Sequence, residues 1–194
     1  RDLTTQKLNI RLQAGITLQL LKGLSYDAKV QYEILQDESR NLYKEGSYYV
    51  RNLVNTSSTW NKTDGTVTPN LMKGDILEER QVRTTGYNFR NQLNFSRRFD
   101  KHEIDAIAGT EISNTIIKGT ASPTVYGYND DRLTVGTFPN GTTVKDWMGY
   151  NKTFYYTPSY SYLTSRYFSL YGNVAYTFDS KYTLSGSVRT DASN

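Results

Sequence analysis

From Leu8 to Leu20 the chain alternates without a break. The even positions are Leu8, Ile10, Leu12, Ala14, Ile16, Leu18 and Leu20, and the odd ones are Asn9, Arg11, Gln13, Gly15, Thr17 and Gln19. A helix would scatter these apolar residues around its circumference, whereas a strand puts them all on one face. A second run has the same parity: Leu24, Tyr26, Ala28, Val30, Tyr32 and Ile34 against Ser25, Asp27, Lys29, Gln31 and Glu33. Matching faces then demands an odd turn. The spacing predicts a three-residue turn over Leu21-Lys22-Gly23, with Gly23 in the left-handed position. Leu20 then lies opposite Leu24, and Arg11 opposite Glu33.

Two more hairpins follow the same logic. Tyr87, Phe89, Leu93, Phe95 and Phe99 are odd, while Ile104, Ala106, Ala108 and Ile112 are even, so the intervening turn must be even. A two-residue turn at Asp100-Lys101 pairs Phe99 with His102. It sets Arg98 opposite Glu103 and Arg90 opposite Glu111, two opposite-charge pairs on the polar face. In the last hairpin a three-residue turn, Asp179-Ser180-Lys181, sets Phe178 against Tyr182 and Tyr171 against Arg189.

Tight turns alternate with long connections. Residues from about 36 to 76 and from about 119 to 160 are rich in Asn, Thr, Gly and Tyr, and loops of that length are unusual in compact soluble domains. Short turns at one rim and long loops at the other are the layout of an outer-membrane barrel. The fold class expected is therefore all-β: part of an antiparallel up-and-down transmembrane β-barrel, about six strands as three hairpins with two long extracellular loops. The strands are expected to run roughly 12–15 residues, beyond the usual five or six. A soluble β-sandwich would also alternate, but with shorter strands and more frequent turns. The chain starts at Arg1 and stops within a strand-like run, so both ends are expected to be cut. The whole of 1–194 is then one segment of a barrel domain.

Composition is compatible with this. Only 37% of residues are hydrophobic, and no run of 18 apolar residues encodes a transmembrane helix, yet a barrel strand needs only one apolar face over about 10 residues. The 23 basic and 19 acidic residues are interspersed, without the basic stripe of a nucleic-acid binder. Cysteine is absent, which removes disulfides and thiolate metal sites.

No catalytic constellation, metal site or cofactor is expected. His102 is the single histidine and sits beside a turn, so a structural role is the expectation. Glu78 and Glu79 are neighbours and point to opposite faces of a strand, whereas Glu103 and Asp105 share one. Asn129-Asp130-Asp131 offers oxygen ligands for Ca²⁺ but lacks the spacing of an EF-hand; an acidic loop tip is the plainer reading. The loop aromatics are the functional candidates: Trp60, Tyr126, Tyr128, Trp147, Tyr150, Tyr155 and Tyr156 as contacts for substrate or for a covering lid. Aromatic faces stack on sugar rings and anchor interfaces, and they also simply pack loops together or form an interfacial girdle. Arg11, Glu33, Arg90, Arg98, Glu103 and Glu111 are expected on the lumen side, in cross-strand ladders or against a plug.

The run from Arg166 to Asn194, ending Arg189-Thr190-Asp191-Ala192-Ser193-Asn194, resembles the barrel hairpin of SusC/RagA-family transporters of Bacteroidetes. The stretches Tyr87 to Glu111 and Gly23 to Tyr32 resemble earlier strands of the same family. The resemblance covers nearly all the strand regions and little of the long loops. It implies a plugged barrel of about 22 strands in outer-membrane lipid. It further implies uptake of a glycan or peptide oligomer, energy through TonB, and a SusD/RagB-like surface lipoprotein as lid. The plug, the N-terminal extension and the TonB-contacting segment of that family are not in this sequence. The expectation is therefore a transport protein, not an enzyme. The alternatives are a passive porin, which needs no plug, and a secreted glycan-binding β-sandwich, which would be soluble without detergent.

Overall fold

The computed structural model describes residues 1–136, 141–155 and 157–194. Its elements are β1 (Asp2–Leu21), β2 (Leu24–Tyr43), α1 (Tyr48–Ser57), β3 (Thr59–Trp60), β4 (Val67–Thr68), β5 (Asp75–Phe99), β6 (His102–Ala121), β7 (Val125–Tyr128), β8 (Thr143–Lys145), β9 (Asn151–Thr153), β10 (Ser159–Phe178) and β11 (Tyr182–Ser193). The main sheet has the order β1-β2-β5-β6-β10-β11, with β7 added against β5. Long strands thus follow one another in chain order, the up-and-down arrangement that the hairpin pattern demands. The sheet is open, not a closed barrel. Its edges are β1 and β11, in which every residue is exposed. The strands are longer than expected: β5 has 25 residues, and β1, β2, β6 and β10 have 20 each. Their extra residues, such as 36–43 and 75–86, continue the strand where its apolar face turns polar, so alternation no longer marks them. No helix among the described residues is long and apolar enough to cross a membrane, which says nothing of crossing by strands.

The chain forms two compact units. The second comprises Leu8–Leu35, Arg83–Ile117 and Tyr162–Asn194. It contains the alternating runs and little else. Its apolar face is bare: Leu12, Ile16, Leu18, Phe89, Leu93, Leu170, Val174 and Phe178 are all exposed. The polar face is tied together across strands. Arg11 donates to Glu33 at 2.8 Å, in the predicted register, and Thr17 donates to Asp27 at 2.5 Å in the same register. Asn94 on β5 reaches the same Asp27 at 2.5 Å. Gly23 stands at φ 85°, as the first turn requires. Strand β5 ends at Phe99 and β6 begins at His102, so Asp100-Lys101 is the two-residue turn, with Asp100 at φ 52°. The last hairpin pairs Phe178 with Tyr182 and Tyr171 with Arg189, as the spacing predicts.

The two other predicted ion pairs do not form. Arg98 donates to Ser180 Oγ at 2.6 Å rather than to Glu103. Arg90 turns its Nε to the Tyr171 hydroxyl at 2.8 Å, and Glu111 accepts from Asn88 at 2.6 Å. Tyr171 explains the change. It lies on β10, yet its hydroxyl bonds both Arg90 and Gln92 (3.0 Å) on β5, two strands away. It passes over Gly109 of β6, where a Cβ would run into the Tyr171 ring and the Asn91 carbonyl. A glycine in mid-strand is costly unless something needs the space. Here the tyrosine ring fills it, and the Arg90 guanidinium packs 5.1 Å from the ring centre.

The first unit comprises Arg1–Lys7, Gln36–Val82 and Lys118–Ser161. It has a core of its own. Leu42, Leu77 and Tyr128 are buried together, and Val50, Leu71, Ile76 and Phe154 are buried in the same unit. Each such side chain contributes about 1.5–3 kcal/mol. Strand β7 is set antiparallel on the start of β5, with Leu77 opposite Val125 and Ile76 opposite Tyr126. A bulge follows, where Gly127 at φ 66° takes the extra residue. Helix α1 lies in a segment expected as loop. Ser47 caps it by accepting from Val50 N at 3.3 Å. Its sequence signal is Ser47 before Val50, Leu53 and Val54, apolar at helical spacing, within a segment that composition marks as loop.

Candidate functional site

The first unit brings two tryptophans, 87 positions apart in sequence, to one groove. Trp60 ends β3, which pairs antiparallel with β4 through Thr59–Thr68 and Trp60–Val67. Trp147 sits in the turn between β8 and β9. There Asp146 accepts from Met148 N at 2.9 Å and Tyr150 N at 2.8 Å, an Asx-type turn closed further by Gly149 N on Asp146 O at 2.9 Å. The two hairpins are joined by side chains. Thr59 Oγ1 donates to Lys145 O at 2.7 Å. The Asn70 amide donates to Ser57 O at 2.6 Å, Thr59 Oγ1 at 2.9 Å and Lys145 O at 3.1 Å. Asn70 therefore bridges the end of α1, β3 and β8. Lys152 on β9 adds a bond to Ser57 Oγ at 2.9 Å. The result is a groove of about 470 Å³ lined by Asn55, Thr56, Trp60, Val67 and Trp147. Both indoles remain about half exposed, 47% and 48%.

The other candidate aromatics have different places. Tyr128 is buried with Leu42 and Leu77, and its hydroxyl lies 3.5 Å from an Arg40 nitrogen. Tyr126 packs edge-on against Phe154, 5.9 Å between ring centres, and burial pushes its phenol above the ordinary range. Tyr150 and Tyr155 are exposed, at 65% and 71%. Tyr156 lies outside the described residues. Tyr43 and Tyr49, from the first loop and its approach, pack against each other with their rings tilted by 41° and their centres 4.6 Å apart.

The acidic tip Asn129-Asp130-Asp131 is held by cations of its own chain. Asp130 accepts from Arg40 at 2.6 Å and lies 3.6 Å from Lys44, which also pairs with Asp75 at 3.3 Å. The Arg40 guanidinium holds the Asp130 carboxyl below its usual range, and Asp75 raises Lys44. Asn129 Oδ1 caps Arg132 N at 2.9 Å. No group of three potential metal ligands occurs among the described residues. His102 has structural partners: its Nδ1 meets the Tyr176 hydroxyl at 2.6 Å, and its ring packs 5.3 Å from Phe178. On the polar face Glu103 forms no ion pair, while Arg11, Glu33, Arg90, Arg98 and Glu111 are engaged as described above.

No protein-family model matches the sequence, and no curated protein matches it either. Solved structures do. A chain in the structure of the RagAB peptide transporter superposes with a TM-score of 0.70 at 19% identity, covering 98% of this chain and 18% of that one. The RagAB peptide importer in its open-open state gives 0.71 at 18% identity, covering 99% and 18%. The fold is shared with these transporter chains. This chain spans less than a fifth of their length.

Proposed function

We propose that this chain is a wall segment, with its extracellular loops, of an outer-membrane transporter that takes up nutrient oligomers. One observation carries the reading. The long strands bear an apolar face that no other described residue covers, backed by a polar face knit by hydrogen bonds. Soluble monomers rarely expose an apolar patch beyond a few hundred Å². A bilayer outside and a wet lumen inside account for both faces at once. The mechanism is gated passage through a plugged barrel, with TonB supplying energy and a SusD/RagB-like lipoprotein covering the loops. Support for these finer points is the family resemblance of the strands and the shared fold with a peptide importer. Within that reading Arg11, Glu33, Arg90, Arg98, Glu103 and Glu111 face the lumen, and the exposed loop aromatics meet substrate or lid.

The test uses the full-length protein. Refolded into vesicles, it should give a heat-modifiable band on a gel, and cells lacking it should lose growth on an oligomeric nutrient. A full-length chain that is monomeric and cooperatively folded in plain buffer would sink the proposal and favour the sandwich. Uptake that persists without TonB would point to the porin.

A further inference from the structure

The three hairpin turns of the second unit are tied into one ledge. Ser96 N donates to Gly23 O at 2.8 Å, which joins the first turn to the second hairpin. Asp179 N donates to Lys101 O at 2.7 Å, which joins the second turn to the third. Arg98 adds its bond to Ser180 Oγ at 2.6 Å. Where they share the apolar face, the strand ends at this ledge are aromatic. Phe99, Tyr176, Phe178 and Tyr182 follow the parity of Leu93, Val174 and Leu184. The His102 ring packs among them, 5.8 Å from Tyr176 and 5.3 Å from Phe178 between centres.

The ledge is also cationic. Lys22, Arg97, Lys101 and Lys181 are exposed there, against two carboxylates, Asp100 and Asp179. Asp179 is engaged within the ledge, 2.9 Å from Lys181 and 3.9 Å from Lys101. Lys22, Arg97 and Asp100 remain, a cationic surplus. Arg97 shares the parity of Phe95 and Phe99, so it lies on the apolar face, whereas Arg98 lies on the polar one. The Arg97 guanidinium sits 4.7 Å from the centre of the Phe99 ring and forms no ion pair among the described residues. Lys22 is next to it: a Cβ on the adjoining Gly23 would stand 3.5 Å from the Arg97 Cβ.

We propose that this ledge binds the headgroup of an anionic phospholipid, with Arg97 and Lys22 as its phosphate contacts. The proposal rests on the reading of the apolar face as lipid-facing. A cation on such a face is costly at the bilayer midplane and nearly free at the interface, where a headgroup meets it. One phospholipid then satisfies both parts of the surface. Its acyl chains cover the aliphatic face, and its phosphate reaches the cations at the strand ends. Aromatic side chains belong at that depth, with their rings among the headgroups. The guanidinium fork suits two phosphate oxygens at once, and the Phe99 ring holds it in place beforehand. A free phosphate or an acidic soluble protein would use the same cations but leave the aromatic strand ends in water.

The experiment is native mass spectrometry of the full-length protein in neutral detergent. It is titrated with phosphatidylglycerol or with phosphatidylcholine of the same acyl chains. Phosphatidylglycerol should bind more tightly. Arg97→Gln and Lys22→Gln should each weaken it about fivefold and leave phosphatidylcholine unchanged. Arg97→Lys keeps the charge without the fork and should lose only about twofold. Arg98→Gln, on the other face, should leave the affinity for both lipids unchanged. Folding of each variant is read from its heat-modifiable gel shift, and Arg97→Lys keeps the test decisive if a glutamine variant misfolds. Equal affinity for the two lipids, a preference indifferent to Arg97 and Lys22, or Arg97-dependent binding of inorganic phosphate without lipid would overturn the proposal. The two readings fail differently. A full-length chain folded and monomeric in plain buffer would remove the lipid-facing reading and this proposal together. A detergent-requiring barrel with no preference for phosphatidylglycerol would remove this proposal alone.

Discussion

The two units of this chain are stabilised by opposite means. Among the described residues eight hydrophobic side chains are buried, and only Tyr171 belongs to the second unit. The first unit, Arg1–Lys7 with Gln36–Val82 and Lys118–Ser161, has an interior in the ordinary sense, with Leu42, Val50, Ile76 and Leu77 under 7% exposed. In the second unit Leu12 is 63% exposed, and whole strands show no burial at all. A sheet with one polar, hydrogen-bonded face and one bare apolar face is unfinished as a soluble object. The lesson is that apolar residues in this chain do two jobs. In the first unit they make a core, and in the second they make an exposed face, which on the proposed reading meets lipid.

That contrast can be broken most forcefully by truncation. Leu77→Ala opens a cavity in the cluster with Leu42 and Tyr128 and should cost about 2–5 kcal/mol. The matching change Leu93→Ala, at a side chain 43% exposed, should cost far less in detergent. Hydrogen exchange across β7 and β5 in the full-length protein separates the two. Equal losses at both positions would erase the distinction drawn here.

A charge tests what the apolar face meets. Leu93→Arg should cost about 2–4 kcal/mol for folding into a bilayer, whereas Asn173→Arg on the polar face should stay within about 0.5 kcal/mol. Equilibrium unfolding from vesicles gives both numbers. A tolerated Leu93→Arg would mean that lipid does not touch that face.

Tyr171→Phe sharpens the comparison from the polar side, because it deletes a hydroxyl that bonds Arg90 and Gln92 across Gly109. The partners are left short of a hydrogen bond in a spot only 9% exposed, at a cost of about 1–3 kcal/mol. Unfolding of the full-length variant in denaturant reads it. No change would show that the bare sheet needs no such cross-strand tie.

The smallest effect is expected from pH in the first unit. The Asp130 carboxyl is lowered in the folded chain by the hydrogen bond from Arg40. Its stabilisation is therefore complete above the unfolded value of about 3.9 and is lost as pH falls through the lowered folded value. Protection of the β7 amides should weaken only in strong acid, and Asp130→Asn should remove that dependence. A loss of protection centred near neutral pH would assign the effect to another group.

Much of this was legible in the residues themselves. Alternation, read with a three-residue turn, set Phe178 against Tyr182 and Tyr171 against Arg189, as they pair. It also paired Arg11 with Glu33. Those predictions hold because a strand has only two faces, and a one-residue slip would move every side chain to the wrong one. Register did not predict where Arg90 and Arg98 send their charge. Position opposite an acid is set by neighbouring strands, but a long guanidinium chooses among all partners in reach, including Tyr171 and Ser180, 81 and 82 residues later in the chain. Helix α1 was masked by a loop-like composition, although its cap and spacing were present.

The sequence by itself determined the alternating strands, their hairpin registers and the two-faced character of the sheet, since each follows from local geometry of period two. Only the tertiary structure decided which loop aromatics would be buried, as Tyr128 is, and which would share an open groove, as Trp60 and Trp147 do. Those outcomes rest on contacts such as Asn70 with Lys145, made between segments far apart in the chain, and no local periodicity encodes which distant segments will meet.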